Sequence, residues 1–488
     1  MRILFIARHF NYLRNFESVL EGLAERGHQL HLAADREDTL EGRDLVDHLV
    51  ARFPNVTAGY TPIRDWGRYR RLAAALRLGL DYLRYSDARF ASMPKIRQRA
   101  YDRTPAFVLA LARLPMPRLL SRILECLEEA VPGQAGVEEF VAQHRPDLML
   151  ITPLVDLGSP QLDYVRAART LGIRSALCVW SWDNLSSKAL IRVPPDAVLV
   201  WNDTQKEEAA RFHGLSADRV AVTGAQCFDR WFDRRPSRSR TDFCRRAGLP
   251  DDRPFMLYAC SALFRGSPSE AQFVRRWLGA IRESGARDMN ILVRPHPRRL
   301  DEWQDGEPVE GAVLWGSNPI DEERRADYYD SLYYSAAVVG LNTSALVEAA
   351  IVDRPVFTIL TPEFYENQEG TFHFHHLMTV GDGFLNTART LDEHVQQLTA
   401  FAAGGPTREN RPFVERFIRP RGATIPATSV FVETVESFAT RPAPAPRRTP
   451  LWTYLLRPLV YALVLAGRVP LLERIYWNPA KFRHLANA

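Results

Sequence analysis

Short apolar runs alternate with longer helical patterns along most of the chain, and no other feature of the sequence constrains the fold as strongly. The candidate strands lie at 2–7, 28–33, 147–152, 174–180, 197–201 and 220–224, and again at 255–260, 290–295, 312–316, 336–340 and 355–359. Strands that alternate with helices in this way are typical of parallel α/β units. The sequence therefore predicts an α/β fold with parallel sheets.

The length of the chain and one polar connector predict two domains. A chain of 488 residues is longer than the roughly 250–300 residues at which a single core stops growing. The segment DRWFDRRPSRSRTDF, residues 229–243, is charged and interrupted by proline, as linkers often are. We predict two doubly wound, Rossmann-like domains, 1–235 and 236–400, that face each other across a cleft. Ligands bind beyond the carboxyl ends of the strands in such sheets.

One arginine-rich segment of the first half does not fit the strand and helix alternation. Residues 62–135 are helical in pattern and contain no clear strand. We interpret them as a helical insertion in the first domain. Two roles are open for it: a cap on that domain, or a basic surface for an anionic or lipid-linked partner.

Composition excludes several classes of protein. The five cysteines form no C-x-x-C pair, which argues against a disulfide framework and against a thiolate zinc site. The N-terminal MRILFIARHF has too short an apolar part for a signal peptide, so we interpret it as the first strand of a cytosolic protein. The net charge of +5 is modest, and no nucleic-acid partner is expected.

The C-terminal part, 441–488, is predicted to be a linker followed by an amphipathic tail. Its longest uncharged stretch, 458–467, is about half of a membrane span, and no apolar run of about 18 residues occurs in the chain. The composition favours a segment that associates with a membrane surface, or else one that packs on the protein itself or on a second subunit. Four aromatic residues could anchor it at the interface: Trp452, Tyr454, Tyr476 and Trp477.

The stretch GLNTSALVEAAIVDRPVFTI, residues 340–359, predicts a helix with a polar start. Asn342 or Thr343 is suited to the N-cap position, and the helix would run to about Val352. Its first N–H groups and the hydroxyls of Thr343 and Ser344 could bind an anion. Glu348 lies one turn further on the same face, where it could hold a sugar diol. The alternative is a plain capped helix with a solvated glutamate.

Further candidates follow other strands of the second half. VRPHPRR, 293–299, ends a strand with Arg294 and His296, two donors suited to phosphate oxygens. The loop CSALFRGSPSE, 260–270, contains Ser261 and Arg265, which could contact the same ligand. GTFHFHHL, 370–377, contains His373, which we interpret as part of a polar wall of the ligand site. The histidines and glutamates of this region lack a recognised metal-ligand spacing, and no metal site is predicted.

Three strand ends of the first half contain candidates for catalysis. His9 follows the first strand, Asp156 lies in the loop after strand 147–152, and Asp183 follows strand 174–180. Such groups could surround an acceptor hydroxyl, and one of them could act as the general base. We favour Asp183 over His9 for this role, although Asp183 could instead cap the following turn.

The two-domain layout, Arg294-Pro-His-Pro and LNTSALVEAAIVDRPVFTI resemble the GT-B superfamily of nucleotide-sugar glycosyltransferases. The second half is similar to UDP-N-acetylglucosamine 2-epimerase, capsular polysaccharide transferases and CDP-glycerol glycerophosphotransferases. The resemblance implies that Ser344 and adjacent amides bind the donor phosphate, that Glu348 binds the ribose, and that Arg294 and His296 face the diphosphate or sugar. It also implies that no cofactor or catalytic metal is needed, and that residues 401–440 form closing helices that cross back to the first domain.

The expected function is therefore a glycosyltransferase of bacterial envelope glycan synthesis, peripheral at the inner face of the cytoplasmic membrane. Its partners would be a nucleotide-sugar donor, a polysaccharide or lipid-linked acceptor, and the membrane surface. Three alternatives are a nucleotide-sugar epimerase, a CDP-polyol phosphotransferase and a non-catalytic scaffold of envelope assembly. The glycine-rich loop of the epimerase is replaced here by Asn342-Thr343-Ser344.

Overall fold

The computed structural model describes residues 1–37, 42–62, 69–304, 309–319 and 321–468. The strands are β1 Arg2–Ala7, β2 Gln29–Ala34, β3 Val56–Tyr60, β4 Leu148–Thr152, β5 Arg174–Cys178, β6 Ala197–Val200, β7 Val220–Val222, β8 Phe255–Ala259, β9 Asn290–Arg294, β10 Val313–Leu314, β11 Ala337–Val339, β12 Val356–Ile359 and β13 Leu385–Ala388.

The α-helices include one-turn segments as well as long amphipathic helices. They are α1 Glu17–Glu25, α2 Gly42–Arg52, α3 Arg70–Tyr85, α4 Pro94–Arg103, α5 Ala106–Leu111, α6 Pro117–Ala130, α7 Ala135–His144, α8 Leu162–Leu171, α9 Asn184–Ser187, α10 Asp203–His213, α11 Asp229–Asp233, α12 Arg240–Ala247, α13 Glu270–Arg282, α14 Glu322–Tyr333, α15 Ser344–Ile351, α16 Phe372–Thr379, α17 Leu391–Ala402, α18 Arg411–Phe413, α19 Ala427–Ala439 and α20 Leu451–Ala466.

The first of two structural units comprises the described residues within 1–227 and 425–468. Its seven strands are all parallel, in the order β3-β2-β1-β4-β5-β6-β7. Strand β1 pairs with β2 on one side and β4 on the other, so that Ile3 lies opposite both Leu30 and Leu148. Helices cover both faces of such a sheet, which explains why its central strands are apolar at almost every position.

The first unit also contains the helical insertion and the last two helices of the described chain. Helices α3 to α6 lie between β3 and β4. Helix α19 packs on α1, and its Phe431 ring lies 5.9 Å from the ring of Phe16, the residue before α1. Helix α20 packs on α3 and α6 and buries Val460 and Val464 beside Leu124. One face of α20 therefore packs on the protein itself.

The second unit, Phe228–Thr424, contains six parallel strands in the order β10-β9-β8-β11-β12-β13. The strand order reverses between β8 and β11, as it does between β1 and β4 in the first unit. Loops that follow these strands lie at the switch point, where open α/β sheets bind ligands. The segments after β8 and β11, and after β1 and β4, are therefore the candidate ligand sites.

The predicted α/β fold with two doubly wound, Rossmann-like sheets is confirmed. Strands β3 and β13 were not predicted. Residues 235 and 400, the expected domain boundaries, both lie inside the second unit. Within the described ranges, no helix is long and apolar enough to cross a membrane. The predicted anchors Tyr476 and Trp477 lie outside the described residues.

Candidate active site

The polar start of helix α15 is built as its sequence predicts. Thr343 is the N-cap residue, with extended backbone angles, and its Oγ1 accepts the N–H of Ala345 at 3.4 Å. Ser344, the first helical residue, is exposed. Within the part of the chain that the structure describes, the N–H groups of Thr343 and Ser344 have no acceptor. Two amide donors and the positive end of the helix dipole are thus available to an anion.

Glu348, one turn into α15, is held by a tyrosine from the neighbouring helix α14. The phenol of Tyr328 donates a hydrogen bond to Oε2 of Glu348. Burial raises the pKa of Glu348 to about 7, although the Tyr328 hydrogen bond and the Arg294 charge oppose this shift. A carboxyl group in this state can exchange its bond to Tyr328 for bonds to the hydroxyls of a ligand.

Arg294 ends strand β9 as predicted, and it belongs to the same cluster. Its guanidinium carbon lies 4.5 Å from the centre of the Tyr328 ring, a cation–π contact, and its Nη2 donates to the carbonyl of Ser317. Its buried Nη1 has no hydrogen-bond partner within the described residues. Burial lowers the pKa of Arg294, and Tyr328 and Glu348 partly offset this effect. Tyr328 thus connects Arg294 with Glu348.

His296, two residues beyond β9, is a neutral hydrogen-bonding group. Its Nδ1 accepts the N–H of Arg298 at 3.2 Å. Burial, together with Arg298 and Arg299, lowers the pKa of His296 to about 4. Because Nδ1 accepts in a neutral ring, the proton lies on Nε2, which can donate to a ligand.

A second network joins the ends of β8, β11 and β12. The N–H of Ser261 donates to Glu270 at 2.7 Å, and its Oγ accepts the N–H of Asn342 at 3.1 Å. The side-chain amide of Asn342 donates to the carbonyl of Asn367 and lies 3.4 Å from Nε2 of His373. Asn342 therefore contacts both Ser261 and His373, and Glu270 and Asn367 support this group.

The burial of these groups distinguishes supporting residues from accessible ones. Ser261 is fully buried, which favours a structural role rather than the predicted contact with a ligand. Arg265 is exposed in a loop that Asn367 secures, since Oδ1 of Asn367 accepts the N–H of Phe264 at 2.7 Å. The structure does not place Arg265 in contact with Arg294 or Glu348.

In the first unit, Asp156 forms an ion pair with Arg8, each from a strand end beside the switch point. Burial alone would raise the pKa of Asp156, but the Arg8 charge and its hydrogen bond outweigh this effect and lower it. A carboxylate so stabilised is a weak base, and Asp156 is better suited to holding Arg8 than to accepting a proton.

The other two candidates of the first unit have different surroundings. Oδ2 of Asp183 lies 3.0 Å from Nζ of Lys188 and 3.2 Å from Oγ of Ser187, so it belongs to the turn of α9. The ring of His9 packs on that of Tyr12, with centroids 4.4 Å apart. The Tyr12 ring in turn contacts Trp180 at 4.8 Å, which links the segments after β1 and β5.

Comparison with solved structures identifies the fold. A glycosyltransferase from Rickettsia africae superposes with a TM-score of 0.52 at 10% identity, over 91% of this chain and 99% of its own. A UDP-GlcNAc 2-epimerase from Neisseria meningitidis, bound to UDP-GlcNAc, superposes with a TM-score of 0.51 at 11% identity, over 90% of this chain and 100% of its own. A protein from Listeria monocytogenes assigned as UDP-N-acetylglucosamine 2-epimerase superposes with a TM-score of 0.50 at 12% identity, over 92% of this chain and 99% of its own.

The chain has the GT-B fold. The predicted resemblance to this superfamily is confirmed at the level of the fold. No family model matches the sequence, and no curated protein sequence matches it.

Two residues of the clusters in the second unit were not predicted from the sequence. Tyr328 lies in DYYDSLYYS, where the run of tyrosines was the available signal. Glu270 is buried at the start of α13 and receives hydrogen bonds from Ser261 and from the Tyr258 phenol. Its signal was a glutamate that follows the small polar loop after β8.

Proposed function

We propose that the protein is a glycosyltransferase that moves a sugar from a nucleotide-diphosphate donor to a polysaccharide or lipid-linked acceptor in bacterial envelope glycan synthesis. The observation that carries the proposal is the cluster of Arg294, Tyr328 and Glu348 in the same unit as the open helix start at Thr343 and Ser344. The cluster combines donors for a diphosphate with an acceptor for a diol. A nucleotide contains both groups.

In this proposal the second unit binds the donor. The amides of Thr343 and Ser344 and the guanidinium of Arg294 bind the diphosphate, and Glu348 binds the ribose hydroxyls. As the bond between the sugar C1 and the phosphate oxygen breaks, negative charge grows on the leaving diphosphate. Fixed donors directed at that charge lower the barrier. The neutral His296 can add one more hydrogen bond without the cost of burying a second cation.

In this proposal the first unit binds the acceptor. The acceptor hydroxyl attacks C1 of the sugar, and a base removes its proton. We assign this role to Asp183, the candidate that the sequence favours, which lies in the turn after β5. Asp156 is assigned a positioning role because Arg8 stabilises its ionised form.

A binding experiment tests the donor site. Glu348→Ala should abolish binding of the best nucleoside diphosphate among UDP, GDP and CDP in calorimetry, with an unchanged melting temperature. Glu323→Ala is the matched control, because Glu323 is an exposed glutamate that contacts Arg246 on the surface. Unchanged binding in Glu348→Ala would contradict the proposal.

The products distinguish the reaction classes. A glycosyltransferase should release a nucleoside diphosphate only when a membrane extract supplies the acceptor. A CDP-polyol phosphotransferase would release CMP instead, and a scaffold would release nothing. The epimerase remains the second candidate because two of the superposed structures carry that assignment. It would convert the nucleotide sugar without any acceptor.

A further inference from the structure

Exposed apolar side chains are concentrated in two segments of the first unit. Nineteen large hydrophobic side chains are exposed among the described residues; six lie within 101–123 and seven within 451–465. The first segment belongs to the helical insertion and the second to helix α20. A cluster of this kind usually marks an interaction surface, whereas single exposed apolar residues do not.

The two helices present these side chains in the same manner. Helix α20 buries Val460 and Val464 and exposes Leu455 and Leu459, which are 81% and 50% accessible. Helix α6 buries Leu124 in the same core cluster and exposes Leu119 and Ile123, at 53% and 47%. Since α6 and α20 pack together, we call the exposed rows Leu119/Ile123 and Leu455/Leu459 the apolar helix surface.

Positive charge is concentrated in the same segments. The helical insertion, residues 62–135, contains fourteen basic and seven acidic residues, and residues 440–468 contain five basic residues and no acidic one. Together they carry a net charge of +12, while the whole chain carries +5, so the remainder of the chain is net −7. The segments that expose apolar side chains are therefore the ones that would be attracted to an anionic surface.

We propose that the apolar helix surface docks on a bilayer that contains anionic lipids, with the helical insertion and helix α20 entering the interface together. Apolar rows flanked by arginines suit the boundary between headgroups and acyl chains. Arginine stems can lie along such a surface while the charge stays in water; the Arg457 guanidinium lies 3.9 Å over the Tyr454 ring. A second copy of the chain is disfavoured, because it would bring two surfaces of like charge together.

Vesicle sedimentation of the full chain tests the proposal independently of any catalytic activity. Binding should be strong for phosphatidylcholine vesicles that contain phosphatidylglycerol and weak for phosphatidylcholine alone, and salt should reduce it. Leu459→Glu on α20 and Leu119→Glu on α6 should each weaken binding about tenfold. Leu300→Glu, at a leucine of the second unit that is 47% exposed, is the matched control and should bind as the wild type does.

Cys126 provides a direct measurement on the insertion. It is exposed and lies seven residues after Leu119, on the same side of α6. A polarity-sensitive fluorophore on Cys126, in a Cys227→Ser background, should shift to the blue with the anionic vesicles.

Three results would overturn the proposal. If Leu119→Glu binds vesicles as the wild type does, and the fluorophore on Cys126 shows no blue shift, then the helical insertion is not part of the membrane-binding surface. Equal binding to neutral vesicles would exclude the role of charge. A dimer in light scattering that Leu459→Glu dissociates, without vesicle binding, would make this surface a contact between copies of the chain.

Discussion

The phenol of Tyr328 donates its hydrogen bond to the carboxylate of Glu348, while its ring face lies 4.5 Å from the guanidinium carbon of Arg294. One side chain therefore supports both candidate donor-binding groups, which come from different elements of the second unit. The hydrogen bond stabilises the ionised carboxyl group, and the ring stabilises the buried cation. Removing the hydroxyl should change one of these contacts and preserve the other.

Tyr328→Phe should weaken binding of the preferred nucleoside diphosphate about tenfold at pH 6.5, because the lost hydrogen bond stabilises the ionised form of Glu348, which binds the ligand hydroxyls. Without that bond the pKa of Glu348 rises above about 7, so less of the carboxyl group is ionised near neutrality. The loss of affinity should be smaller at pH 8.5, where the Glu348 carboxyl group is ionised in both the variant and the wild type. Calorimetry across this range measures it, and Tyr333→Phe on the same helix is the control. A loss that is constant with pH would contradict the assignment.

Arg294→Lys should weaken binding of the nucleoside diphosphate at least tenfold and leave binding of the free nucleoside almost unchanged. Lysine keeps the charge but lacks the planar fork that matches phosphate oxygens and stacks on Tyr328. Arg298→Lys, at an exposed arginine four residues further on, is the control. Equal losses for nucleoside and diphosphate would show that Arg294 acts by positioning Tyr328 and Glu348.

Glu270 should make the protein less stable as the pH rises. Burial raises the pKa of Glu270 to about 8, above its ordinary value of 4.5. Between these two values the folded chain retains a proton that the unfolded chain has released, so the free energy of unfolding falls with increasing pH. At about 1.4 kcal/mol per pKa unit, the full loss is on the order of 5 kcal/mol.

Glu270→Gln, which cannot ionise, should remove this slope between pH 5 and pH 8. Urea unfolding at several pH values measures the difference from the wild type. Glu433→Gln is the control, because the Glu433 side chain is two-thirds exposed. Parallel pH profiles for Glu270→Gln and the wild type would contradict a raised pKa at Glu270.

The central strands were predictable and two edge strands were not, for a physical reason. Strands such as β1 and β4 have neighbours on both sides and helices on both faces, so their sequences are almost wholly apolar. Strands β3 and β13 are edge strands, and each exposes or half-exposes most of its middle positions. Their sequences, VTAGY and LNTA, lack the apolar run that indicates a buried strand.

The residues of the candidate site also differ in how well the sequence predicts them. The Thr343 cap and the strand end at Arg294 depend on residues next to them in the chain, and both are confirmed. The link from Tyr328 to Glu348 joins residues 20 positions apart on two helices and depends on how α14 packs beside α15. The burial of Ser261 likewise depends on Glu270 and Asn342. Local patterns predict caps and strand ends, but they do not show which polar groups become buried against each other.

Substitution of Asp183 should lower catalytic turnover, whereas substitution of Asp156 should lower the stability of the protein. Asp183→Asn removes the proposed base, so kcat should fall at least about 100-fold while donor binding is retained. Asp156→Asn leaves the Arg8 charge without its carboxylate partner. Because both side chains of that pair are about a fifth exposed, we expect a stability loss of about 2 kcal/mol rather than that of a fully buried pair. Turnover and urea unfolding of both variants measure these effects. Full activity in Asp183→Asn, with activity lost in a stable Asp156→Asn, would reverse the two assignments.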